Sequence, residues 1–327
     1  MRKLLLGTTA LAAATLTANA ALADVSVSGY YEWRYESRTS QNATYDGTKF
    51  GGDSEIVFKF NNKTDNGLDI TLKTEMFGDS GDSAIDESGL TITGGFGTVM
   101  LGAEDGVNDM IPPAANDLVS EEMYSTSGLG TADSDHFLGI KNGDMANLGG
   151  NSSKITYMPN LGMTGLVAGI SHTNASMAGG ADTTEFGASY TIDAGGASVM
   201  IGAVTGTTEN STQDIDSQTV GIKIVSGDIS MILAQAEYEA DGDDEQGTDA
   251  AIKFQVNDSM SLVAYTSDVQ DDLKSEEYTN TGAEMVYTIA SGLSAIVTVE
   301  DYDYKTGTAG GTDDNGTHSK LTIKATF

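Results

Sequence analysis

Asp24-Val25-Ser26-Val27-Ser28-Gly29-Tyr30-Tyr31-Glu32-Trp33-Arg34-Tyr35-Glu36 is the stretch from which the rest of this chain can be read. Val25, Val27, Tyr31, Trp33 and Tyr35 are apolar or aromatic, while Ser26, Ser28, Glu32, Arg34 and Glu36 are small or charged. Successive side chains of an extended strand point to opposite faces, so this is a strand with one greasy face and one wet face. The last residues repeat the pattern, with Leu321, Ile323, Ala325 and Phe327 set against Lys320, Thr322, Lys324 and Thr326. About fourteen further runs lie between the two, most near the 9–11 residues that a tilted membrane-crossing strand needs. Sixteen strand centres are expected near residues 30, 57, 72, 91, 101, 156, 169, 187, 201, 221, 233, 252, 263, 285, 297 and 322.

The connections alternate between short and long. Lys63–Gly67, Gly94–Gly97, Asp193–Gly196, Gly227-Asp228, Asn257–Ser259 and Ser291-Gly292 are short turns of Gly, Asn and Asp. Between them come long polar segments near 38–52, 78–87, 105–152, 173–182, 206–216, 239–247, 268–277 and 303–316. An up-and-down barrel with tight turns at one rim and long loops at the other has this layout. An even strand count brings both termini to the same rim, where the first and last strands can pair and leave no edge. All three prolines avoid the strand runs: Pro112 and Pro113 lie in the longest loop and Pro159 at a strand end.

Residues 1–23 have the order of an export signal: Arg2 and Lys3, an apolar stretch from Leu4, then Ala21-Leu22-Ala23 before Asp24. Cleavage there is expected, leaving one barrel domain over 24–327. That domain contains no run of about 18 apolar residues, so strands alone can carry it across a bilayer. The chain has 48 Asp+Glu, 16 Lys+Arg and no Cys, for a net charge of −32. This excludes a nucleic-acid partner, which needs a basic face, and excludes a disulfide framework. Sixteen strands enclose an aqueous lumen, and the charged parity has to face it, because charge on the lipid side costs a few kcal/mol at midplane.

The chain resembles the general porins of Gram-negative bacteria, in particular the sixteen-stranded kind of alphaproteobacteria such as Rhodobacter. The resemblance rests on Asp24–Tyr30 (DVSVSGY), the long acidic loop after strand five, and the ending Lys324-Ala325-Thr326-Phe327. It implies a trimer in the outer membrane that passes ions and small hydrophilic solutes; the acidic loops Asp241–Glu245 and Asp313–Gly316 are expected to meet lipopolysaccharide phosphates through divalent ions. It further implies that the barrel-assembly machinery reads Phe327, and that the third loop folds into the lumen as a constriction. The acidic side of that constriction would be Glu104, Asp105, Asp109, Asp117, Glu121 and Glu122. The facing basic wall would be Arg34, Lys59, Lys73, Lys320 and Lys324. The chain departs from the family pattern in having few arginines, only Arg34 and Arg38 after residue 23, and with acid dominating, cation preference is expected.

No catalytic pattern is present: His136, His172 and His318 stand alone, with no metalloprotease, serine-hydrolase or phosphate-loop motif. No cofactor is expected. Asp241–Glu245 and Asp313–Gly316 could offer oxygens to loop-bound Ca2+, but neither has the spacing of a known calcium loop. The aromatic residues Tyr30, Tyr31, Trp33, Tyr35, Tyr157, Tyr190, Tyr238, Tyr265, Tyr287, Tyr302 and Tyr304 are expected in girdles at the membrane interfaces. The competing reading is a secreted, acidic, β-rich adhesin or calcium-binding protein, which has no reason to keep the short/long alternation.

Overall fold

The computed structural model describes residues 24–41, 46–77, 85, 87–120, 153–174, 181–209, 214–240, 243–271, 276–306 and 313–327. Its strands are β1 (Asp24–Ser40), β2 (Gly47–Lys63), β3 (Asp69–Phe77), β4 (Ser88–Gly94), β5 (Gly97–Ala103), β6 (Ser153–Pro159), β7 (Leu166–Asn174) and β8 (Asp182–Asp193). The second half has β9 (Ala197–Glu209), β10 (Asp214–Ser226), β11 (Ile229–Ala240), β12 (Asp243–Asn257), β13 (Met260–Asp271), β14 (Glu276–Ala290), β15 (Leu293–Lys305) and β16 (Asp314–Thr326). Every strand pairs antiparallel with its sequence neighbours, and β1 pairs with β16 to close the barrel. Each of the sixteen expected centres falls within its strand.

Closure is sealed at the C-terminus. Gly29 N donates to Phe327 O at 3.1 Å and Phe327 N donates back to Gly29 O at 3.0 Å. The short turns need left-handed backbone, and glycine provides it at Gly227 (φ 55°) and Gly292 (φ 74°).

Parity runs as expected. Val25, Val27, Tyr31, Ile56, Phe60, Leu72, Val220, Leu233, Ile252 and Leu262 are exposed on the outer face. Glu32, Glu36, Glu104, Lys154, Glu185, Asp249, Glu284, Glu300 and Lys320 are buried on the inner one. The polar residues Arg34, Glu55, Lys59, Asp69, Lys73, Glu75, Lys223, Lys253 and Lys324 share the inner rows through the ladder register.

Two expectations need correction. Strands β1, β2 and β7 to β16 run on into segments that read as loop, because above a membrane both faces of a strand can be wet and the alternation that marks it fades while the backbone ladder continues. The aromatic residues also divide. Tyr31, Trp33, Tyr190 and Tyr287 face outward, but Tyr30, Tyr238, Tyr265, Tyr302 and Tyr304 lie in inner rows, so they are not part of a lipid-facing girdle. Parity prevails there, and the phenol hydroxyls find inner carboxylates: Tyr30 donates to Asp53 at 3.0 Å and Tyr265 to Glu300 at 2.9 Å.

Candidate functional site

The described part of the segment after β5 lies against the inward residues of β7 to β14. It starts with the helical turn α1 (Val107–Met110), whose cap comes from the wall: Gly106 supplies no side-chain cap, and Val107 N donates to Ser171 Oγ at 3.2 Å. Ser171 Oγ donates to Glu185 Oε2 at 2.5 Å, and the Asn108 backbone bonds to the same carboxylate. Further on, Ala115 N donates to Asp249 Oδ2 at 3.1 Å and Ser120 N to Glu284 Oε1 at 2.8 Å. Three wall carboxylates on β8, β12 and β14 therefore bind backbone amides of the segment, and the Ala115 N–H, which is buried, would otherwise be a donor without a partner.

The apolar residues of the segment have inner-wall partners. Val107 and Ile111 pack with Val204, and Ala115 and Leu118 pack with Ile232, Ala251, Val263 and Tyr265. Fully burying a side chain the size of Val107, Ile111 or Leu118 is worth roughly 1.5–3 kcal/mol, which offsets part of the entropy of ordering the segment. Wall glycines clear its track. A Cβ at Gly169 would stand 2.7 Å from Val107 Cγ1, one at Gly187 2.9 Å from Ile111 Cδ1, and one at Gly202 2.8 Å from Ile111 O. At Gly221 it would stand 3.0 Å from Pro113 Cγ. Sequence reasoning missed these glycines and the amide-binding roles of Glu185, Asp249 and Glu284. The legible signal was glycine recurring at inward parity on four consecutive strands.

The expected acidic residues divide among several roles. Glu104 is buried beside Lys73, Asp105 and Asp109 are half-buried, and Asp117 is exposed while its Oδ2 accepts the Ala114 N–H at 3.3 Å. Burial pushes the Glu104 and Asp105 carboxyls above their ordinary range, and the neighbouring negative charge of Glu87 acts in the same direction. Glu121 and Glu122 lie outside the described residues, as do 123–152.

All five expected basic residues are on the inner face, but interleaved with carboxylates. Arg34 Nη2 is 2.5 Å from Glu32 Oε2 and 3.3 Å from Asp53 Oδ2, and Lys324 pairs with Glu32. Lys73 reaches Glu75, Glu87 and Glu104. Lys320 is buried opposite Glu36 and Thr298. Lys59 is exposed and makes no ion pair with the described residues. The wall bearing these residues, β16 and β1 to β3, is thus a mixed ladder with no purely basic surface. A second network sits toward the long-loop rim: Arg38 Nη2 to Asp314 Oδ2 at 2.7 Å, and Arg38 and Ser40 around the same carboxylate with Tyr302.

Among the described residues no group of three or more His, Asp or Glu is arranged to hold a metal. Asp313 accepts the Thr306 N–H, and Asp314 is engaged by Arg38, while Asp241 and Gly242 lie outside the described residues. His136 does as well. His172 Nδ1 lies 2.9 Å from Thr184 Oγ1, and His318 is buried between Glu36 and Glu300, its nitrogens 3.7 Å and 3.5 Å from their oxygens.

A family model described as "Gram-negative porin" matches residues 7–307. Among solved structures the chain is similar to OmpT, an outer membrane protein of Vibrio cholerae in a trimer form, at 16% identity and a TM-score of 0.65, covering 93% of this chain and 99% of that one. It is similar to the anion-selective porin from Comamonas acidovorans at 15% identity and a TM-score of 0.63, covering 93% and 100%. A mutant of Rh. blastica porin aligns at 18% identity and a TM-score of 0.62, also covering 93% and 100%. No curated protein matches the chain significantly.

Proposed function

Since the chain belongs to the Gram-negative porin family, an outer-membrane protein family with this barrel, we propose that it is a diffusion channel for cations and small hydrophilic solutes, narrowed by its third loop. The observation that carries the reading is the loop's attachment: wall carboxylates bind its backbone and wall glycines leave room for it. A loop so held sets the width and charge of the lumen without closing it. Cation preference follows from balance. Most basic residues of the facing wall are neutralised by adjacent carboxylates, whereas Asp117 is exposed on the loop and the chain as a whole is at −32. The Comamonas relative is described as anion-selective, so the fold accommodates either sign and local charge decides.

Residues 1–23 act in this reading as a cleaved export signal. Phe327, exposed at the barrel seam, is the element that the assembly machinery would meet, and the acidic long-loop rim faces lipopolysaccharide. We assign the chain no enzymatic step and no cofactor. Three copies associate, as the OmpT trimer form motivates. The test is the reversal potential across a planar bilayer in a salt gradient, using detergent-extracted protein that has not been heated and that should migrate as three chains, collapsing to one on heating. A potential of the sign for cation flow is expected. Anion preference would overturn the selectivity, and a single-chain species before heating would overturn the trimer.

A further inference from the structure

We propose that Lys73 is a positioning residue: it clamps Glu87, just before β4, to Glu104 at the root of the third loop, and so holds that loop in its conducting position. The inference rests on the third loop being the constriction.

The geometry is built for this pairing. Lys73 Nζ is 2.6 Å from Glu87 Oε2, 3.1 Å from Glu75 Oε1 and 3.5 Å from Glu104 Oε2, with its side chain only 20% exposed. Glu87 is drawn to the same place by its backbone, since Glu75 N donates to Glu87 O at 2.8 Å. In the ladder Lys73 stands opposite Gly89, and Gly89 opposite Gly102. Two adjacent positions without side chains open a lane across β4, and Glu104 lies in it: a Cβ at Gly89 would stand 2.5 Å from Glu104 Oε1 and 2.7 Å from its Cδ. On its other side Lys73 is opposite Lys59, a like-charged pair that is unfavourable unless one member finds anions elsewhere. Lys73 finds them, and Lys59 is left to the lumen. The other charges near the cluster are Asp105, beside Glu87, and Lys154. One ammonium thus serves several carboxylates, and its removal leaves their mutual repulsion at the point where the third loop departs from the wall.

The experiment is single-channel recording of full-length protein carrying Lys73→Gln, Glu87→Gln, both, or Gly89→Ala. Gly89→Ala changes no charge but fills the lane, so it separates positioning from field. Lys73→Gln and Gly89→Ala are each expected to raise the closed-to-open dwell ratio at least about fivefold, the factor that about 1 kcal/mol gives. In the Glu87→Gln background Lys73→Gln should add less than about twofold, because the two share one interaction. If Gly89→Ala does not assemble, this cycle decides alone. Wild-type closures in Gly89→Ala, or full additivity of the two Gln variants, would overturn the clamp. Failure of the parent protein to conduct would instead remove the porin reading.

Discussion

Glu104 and Asp105 show what the loop acids can do at the scale of single residues. Their carboxyls are held above the ordinary range, chiefly by burial, so they take up protons before exposed carboxylates with values of about 4 do. Because the folded state binds these protons more readily than the unfolded chain, the two groups favour folding as pH falls and disfavour it as pH rises. Their charge disappears in the same direction. Cation preference is therefore expected to begin weakening, as pH falls, before ordinary carboxylates titrate, and a reversal potential recorded against pH checks it, with Glu104→Gln flattening part of the change. A reversal potential constant until ordinary carboxylates titrate would contradict it. These residues were legible as a cluster of acids after strand five. Their partners were not, because Lys73, Glu87 and Glu104 meet only through the register of β3, β4 and β5, and no local spacing in the sequence encodes that register.

At the scale of elements, alternation carried nearly everything. Where one face of a strand meets lipid and the other water, as in Val25–Glu36, period two is enforced at every residue, and the strand centres follow from it. Where outward positions carry charge, as Asp214 and Asp216 do in β10 and Asp244 does in β12, the greasy and wet alternation is lost and only hydrogen bonding defines the strand, so the sequence reads as loop. Tyr238 and Tyr265 depart from the girdle expectation for a related reason: parity, rather than the preference of aromatics for interfaces, sets which way they face. Faces can be tested one at a time. Val220 is 49% exposed on the outer face, and Val220→Arg is expected to cost about 2–4 kcal/mol of barrel stability. Thr91, in an inner row, should accept lysine at a cost within about 0.5 kcal/mol. Urea titration of folding into lipid vesicles measures both, and equal costs would mean that the assignment of faces is wrong.

For the whole molecule, closure between β1 and β16 does what a hydrophobic core does in a water-soluble domain: it leaves no unpaired ladder and lets the inner face be polar. The barrel then tolerates side chains that a packed core would reject, among them the buried Glu185, Asp249, Glu284 and Glu300. Part of that polar wall binds a loop backbone, part pairs charge with charge, and the remainder borders water. This division could not be read from composition, since a carboxylate holding an amide and one facing solvent are the same letter. The most direct test of the central claim, a continuous water column through the barrel, is the conductance of single channels in a planar bilayer over a range of salt concentrations with neutral sugars of graded size. Conductance rising in proportion to the bulk solution, and lowered only by sugars small enough to enter, is the expected result. A barrel that inserts stably yet carries no current at any salt concentration would contradict it.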